Sequence, residues 1–225
     1  MKGALAPWRE LPWVVGAYAT EVSQIVLIAE DGHVGEHETS ELRAIPLATL
    51  RAKESCGLDD ERYQARLATV LHDPTGEVAR CLGAMAELPS SIRDDRLRVH
   101  FAEYIRERAK ATVCLERGLA ANARMTASSA LNALVKCVFM AMGSWVPRAE
   151  HTARALRASV VPPELVDGLE RAWDALDVNI ALHQAVDAWL TSLGHDFHRN
   201  PHTLTEWMTR DPRGIAAVER WFRTP

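Results

Sequence analysis

The chain of 225 residues has no apolar run long enough to cross a bilayer. Its longest near-continuous apolar stretch, Ala127–Trp145, is broken by Ser129, Asn132 and Lys136 and falls short of the roughly 20 predominantly apolar residues a spanning helix needs. Cysteine is sparse: Cys56, Cys81, Cys114 and Cys137 form no Cys-x-x-Cys pair. Cys81, Cys114 and Cys137 sit in helical apolar patterns, where a free thiol packs as a small hydrophobe. The opening MKGALAPWRELPW has no long apolar core before a cleavage site, so no secretory signal is read there and a reduced, cytoplasmic setting is expected. Basic charge is not in surplus. A formal net charge of −4 argues against a general nucleic-acid binder. There is no Gly-x-Ser-x-Gly, no Walker-type phosphate loop, no zinc-protease helix and no Rossmann fingerprint, so no nucleophile or cofactor site is signalled by motif.

What the chain does have is helical periodicity. Ala127–Trp145 is apolar on nearly every face, as befits the central helix of a bundle. Its polar groups Ser129, Asn132 and Lys136 follow a three-then-four spacing and share one stripe. Such a stripe either borders a cleft or satisfies neighbouring backbone. Around this helix the pattern predicts helices over 59–71, 77–88, 90–117 and 148–160, and a long helix or two in series over 165–190. Short helices are expected around Trp207 and over 218–221. In the helix over 90–117 the expected buried side is Leu97, Phe101, Ile105, Ala109 and Val113. Gly118, Gly143 and Gly194 end helices, and Val161-Pro162-Pro163-Glu164 restarts one with proline in its first turn.

The first 45 residues read differently. Residues 1–20, with Pro7, Pro12 and Gly16 among Trp8 and Trp13, are expected to be extended and packed. Gln24–Ala29 is a β-branched run closing at Glu30-Asp31-Gly32, and Val34–Thr39 alternates, with Glu36 and Glu38 on one face. The two predict a hairpin, marginal on its own and in need of cover. The expected fold is therefore mostly α (α+β), with a small N-terminal β-hairpin region over 1–45 packed on a C-terminal helical bundle over 46–225.

His72-Asp73-Pro74-Thr75-Gly76, then Ser144-Trp145-Val146-Pro147, a basic helix, and Val161-Pro162-Pro163-Glu164-Leu165 form an order of phrases. This order resembles the small-molecule nucleotidyltransferases of the polymerase-β-like superfamily, which include aminoglycoside and lincosamide adenylyltransferases. The resemblance spans about residues 20–190. It implies a mixed-sheet catalytic region joined by the Asp-Pro-Thr-Gly turn to a HEPN-like helical bundle. The family's Gly-Ser phosphate loop and Asp-x-Asp metal pair have no counterpart: the chain has no Asp-x-Asp, and its only Gly-Ser, Gly143-Ser144, ends the central helix. A single remaining carboxylate, Glu36 or Glu38, cannot organise two magnesium ions bearing a nucleotide.

The resemblance thus implies a nucleotidyltransferase-like protein that has lost the metal and triphosphate motif and keeps an acceptor-binding bundle for a small molecule. The expected pocket lies between the hairpin and the polar stripe. Glu36, Glu38, His100 and Lys136 are its catalytic candidates, and Ser129, Asn132, Glu103 and Trp145 its substrate-binding candidates; no metal ligand is assigned. An alternative is an interaction module whose hairpin edge pairs with a second copy, as a homodimer, or with a separate catalytic chain. Another is a divergent transferase built on Glu36 and Glu38, and only that reading brings magnesium with a nucleotide.

Other constellations have plainer readings beside them. His195, His198 and His202 with Asp196 could ligate zinc or form a solvated loop at a cleft mouth. Arg93 and His100 have the spacing of HEPN ribonucleases, while Asp94 and Asp95 also suit an ordinary helix start. Glu103 and Glu107 face either a cleft or Arg106 and Arg108, and Asp174 and Asp177 are expected in water. Trp145, Trp173 and Trp189 fall on core positions; aromatic pocket walls are the other option.

Overall fold

The computed structural model describes residues 7–20, 24–31, 42–195 and 201–216. It divides into two compact units, Met1–Leu88 and Pro89–Pro225. The change from strand-like to helical sequence at residue 46 coincides with the end of a strand rather than with this division.

In the first unit, strands β1 (Val14–Ala19), β2 (Ile25–Ala29), β3 (Leu42–Pro46) and β4 (Thr69–His72) form one sheet in the order β3-β2-β1-β4. The hairpin exists, but β2 makes it with the upstream segment. β1 and β2 are antiparallel, Val14 opposite Ala29 and Ala19 opposite Ile25. β3 lies parallel to β2, and β4 antiparallel to β1 with Ala17 opposite His72. Both edges of the hairpin are thus occupied by strands of the same chain. The expected strand Val34–Thr39 lies outside the described residues.

β2 reads Ile-Val-Leu-Ile-Ala without alternation because both faces of the sheet are apolar. Val26 and Ile28 join Ile45, Val78, Cys81 and Met85 on one side, and Leu27 joins Trp8, Val14 and Ala17 on the other. Helices α1 (Leu47–Cys56), α2 (Asp59–Leu67) and α3 (Glu77–Ala86) complete this unit. Asp31 Oδ1 accepts the Ala48 N–H at 2.7 Å in the first turn of α1. Gly16 lets α3 close onto β1: a Cβ there would stand 2.4 Å from Val78 Cγ2. The helix expected over 59–71 ends at Leu67, and its last residues are β4. The Asp-Pro-Thr-Gly turn follows β4 inside this unit, where Asp73 Oδ2 accepts the Ala79 N–H at 2.8 Å and Gly76 adopts φ +76°. It caps α3; it does not join the two units.

The second unit is helical. α4 (Ser90–Glu116) and α5 (Ala120–Ala141) form a long antiparallel helical hairpin around Gly118, at φ +70°. From Ala130 to Met140 α5 buries every residue but Asn132 and Lys136. It begins seven residues before Ala127 and stops at Ala141, where the Ser144 N–H reaches back to the Phe139 carbonyl at 2.9 Å. The buried side of α4 is Leu97, His100, Phe101, Tyr104, Glu107 and Ala111, whereas Ala109 and Val113, expected inside, are exposed. Then come α6 (Ala149–Arg157), α7 (Pro163–Ala175), α8 (Ile180–Ser192) and α9 (Pro201–Arg210). The stretch over 165–190 is thus two helices in series, turned by Leu176 at φ 48° and restarted by Asn179, whose side chain accepts the Leu182 N–H. The helix expected over 218–221 lies outside the described residues. The observed class is mostly helical α+β, as the periodicity predicts. Among the described residues no helix is long and apolar enough to cross a membrane.

Candidate functional site

The polar stripe of α5 splits in two. Ser129 is exposed and donates its hydroxyl to the Met125 carbonyl at 3.2 Å, which satisfies local backbone. One turn on, exposed Asn132 and half-buried Lys136 line a half-open cavity of about 360 Å³ in the second unit. Its remaining walls are largely apolar: Val135 of α5, Val146 and Pro147 of the following segment, Leu156 of α6, and Leu169 and Trp173 of α7. The local sequence explains the placement. Gly143, at φ +69°, turns the chain off α5, and residues of α6 and α7 come to line one cavity with the α5 stripe.

The rim is braced by charge. Arg157 of α6 donates Nε to Glu170 Oε1 of α7 at 2.8 Å and a second N–H to Oε2. This fork holds the Glu170 carboxyl below, and the Arg157 guanidinium above, their ordinary pKa ranges. Glu170 also borders the cavity, so its charge is already matched by Arg157.

At the α4–α5 contact His100 is fully buried, and its Nδ1 lies 3.8 Å from Glu103 Oε2. The Glu103 carboxyl is held below the usual range, by the His100 ring foremost and then by the Lys136 and Arg106 charges, against partial burial that pushes it up. His100, Glu103 and Lys136 are therefore brought together across the two helices, and Asn132 with Lys136 at the cavity wall. Burial also removes His100 from the reach of a polymer phosphate, while Arg93 pairs with Asp94 at 3.0 Å. Glu107 takes Lys110 at 2.8 Å and Arg106 at 3.0 Å, and Asp174 and Asp177 face water.

Trp145 is 2% exposed, with the Arg96 guanidinium 5.1 Å over its ring, and lines the core rather than the cavity. Trp173, placed in the core by its spacing, is 38% exposed and is the aromatic wall. The signal that could have separated them is the neighbourhood: Trp173 precedes Asp174 near a helix end, and Trp145 follows a buried helix. Glu36, Glu38 and His198 lie outside the described residues, as does the side chain of His202. Among the described residues no three His, Cys, Asp or Glu groups converge as metal ligands would. Cys81 and Cys137 are buried and free, with the Cys81 thiol pushed up to about 11, chiefly by burial.

No family model matches the chain, and no curated protein matches it. Among solved structures it is similar to a nucleotidyltransferase-like protein from Exiguobacterium sibiricum, across 97% of this chain and 77% of that one, with 14% identity and a TM-score of 0.46.

Proposed function

We propose that this chain is a nucleotidyltransferase-like protein whose helical unit binds a small molecule, in the manner of an acceptor-binding bundle, without the standard metal and triphosphate site. The observation that carries the reading is the cavity of about 360 Å³ beside Lys136 and Asn132. It falls within the ~300–1,000 Å³ of small-molecule pockets, and like them it is mostly apolar with a few convergent polar groups. A mixed sheet followed by a helical unit is in keeping with the resemblance drawn from the sequence. The sequence lacks the Asp-x-Asp pair of a two-magnesium nucleotide site, and Glu36 and Glu38 lie outside the described residues. No transfer step is derived.

In chemical terms the site can bind and orient. Lys136 and Asn132 supply N–H donors at one wall, and the apolar walls offer surface for a ligand's apolar body to bury.

The test is a thermal-shift screen of small organic compounds, alongside calorimetry with ATP, GTP, CTP and UTP with and without magnesium. Ala153 lines the cavity yet is exposed, so Ala153→Trp closes the space without disturbing the core. Compounds that stabilise the chain and lose this effect in Ala153→Trp are expected. Magnesium-dependent nucleotide binding that is unchanged in Ala153→Trp, with no cavity-dependent ligand, would reverse the reading in favour of transfer.

A further inference from the structure

We infer that the helical unit holds a second binding site, a cleft for the phosphate group of a small phosphate ester, between the end of the α4–α5 hairpin and the turn joining α7 to α8. The cleft is half-open, about 540 Å³ in volume, and shares no lining residue with the cavity beside Lys136, so the two readings stand separately. The first reason is the balance of charge. Arg108 of α4 and Arg124 of α5 line the cleft, against one carboxylate, Asp177 of the turn. Among the described residues neither guanidinium is ion-paired, and the Asp177 carboxylate meets the Asn179 amide at 3.4 Å. The cleft therefore carries a surplus of positive charge in a chain whose net charge is −4.

The second reason is that this charge is held in place. Arg108 is half-buried and its Nε donates to the Val178 carbonyl at 3.2 Å, which ties α4 to the turn. That bond leaves the terminal N–H groups of the guanidinium for the planar fork that grips phosphate oxygens. The turn itself is made by Leu176 at φ 48°, a left-handed conformation that a leucine seldom adopts. Across the cleft α5 begins at Ala120 with no side-chain cap and no acidic residue in its first turn, and Arg124 lies one turn on along the same face. A cation beside the positive end of a helix dipole is unfavourable, and a bound anion offsets both. A phosphate monoester, at about −1.5 to −2 near pH 7, matches the two guanidiniums better than a carboxylate does. The space exceeds one phosphate group, and Ala111, Ala127, Leu176 and Ile180 give the ester body apolar surface. Because the cleft opens to solvent, binding is salt-sensitive. Resting on arginine, it needs no metal.

The test is calorimetry on the full chain at low salt with EDTA, using phenyl phosphate, phenol and inorganic phosphate. Phenyl phosphate is expected to bind about tenfold more tightly than either, and to weaken as salt is raised. Arg124→Met removes an exposed side chain, so the melting temperature should hold while phenyl phosphate binding weakens about tenfold. Asp177→Asn should tighten it about threefold, since the opposing charge is gone, and Ala153→Trp should leave it unchanged. If phenyl phosphate does not bind, or binds the Arg124→Met and Asp177→Asn chains as it binds the unaltered one, the site is overturned. Phenol binding as tightly as phenyl phosphate would overturn the anion preference, and inorganic phosphate doing so would overturn the ester body. Loss of binding in Ala153→Trp would place the ligand in the other cavity and overturn this cleft.

Discussion

Glu103 shows how a residue that looks like surface in the sequence takes its character from neighbours on its own helix and, through Lys136, on the next. Its carboxyl is held below the usual range by His100, then Lys136 and Arg106. The folded pKa therefore lies below the unfolded one. The ionised group favours the fold at pH above the ordinary glutamate range, and that contribution is lost as pH falls through the range and below it. Glu103→Gln removes this proton uptake. Its melting temperature, followed by circular dichroism from about pH 6 to pH 3, should fall less steeply than that of the unaltered chain. Parallel curves would show that these three neighbours do not act on Glu103. At this scale the sequence was partly legible. Three-then-four spacing on one helix was enough to align Asn132 with Lys136 and to set them at one wall. It could not rank the tryptophans, because whether Trp173 meets core or cavity depends on where α6 and the segment before it run. Ser129 shared the stripe but lies beyond the reach of α6 and α7, and its hydroxyl turned to backbone.

Among elements, α4 is the most instructive. A stripe of Leu97, Phe101, Ile105, Ala109 and Val113 steps by four each time, and each step overshoots a 3.6-residue turn by ~40°. Over four steps the stripe winds ~160° around the helix, so its far end faces water. The observed side, Leu97, His100, Phe101, Tyr104, Glu107 and Ala111, mixes threes and fours and so keeps facing α5. Accordingly Leu134→Ala in α5, at a fully buried position, should cost about 2–5 kcal/mol, while Val113→Ala should stay within about 0.5 kcal/mol in urea unfolding. Comparable losses at both positions would contradict the packing. β4 was illegible for a related reason. Thr69–His72 carries no Gly or Pro before Asp73, and its apolar Leu71 continues the helical count of α2. Only its partner β1, far upstream, makes it a strand. β1 itself was read as merely extended, since Pro12 and Gly16 interrupt any alternation.

On the scale of the whole molecule, each unit assembles a core from its own residues, the sheet with α1–α3 and the α4–α5 hairpin with the helices after it. The cavity too is lined by one unit alone. A chain of residues 89–225 should therefore unfold cooperatively on heating and be stabilised by the same cavity-dependent compounds as the full chain. A fragment without a thermal transition would mean that its core needs the first 88 residues. The sheet has a different temporal character. β1 and β2 can pair as soon as both exist, but β4 is made about fifty residues after β1. At ribosomal speeds of ~5–20 residues per second, that is ~3–10 seconds during which the sheet, first two-stranded and then three-stranded once β3 is made, has been synthesised and cannot be completed. The fourth strand thus sets a waiting time on the nascent chain, an interval in which the first unit depends on the cell's holding machinery, whereas the helical hairpin behind it closes from neighbours made within moments of one another.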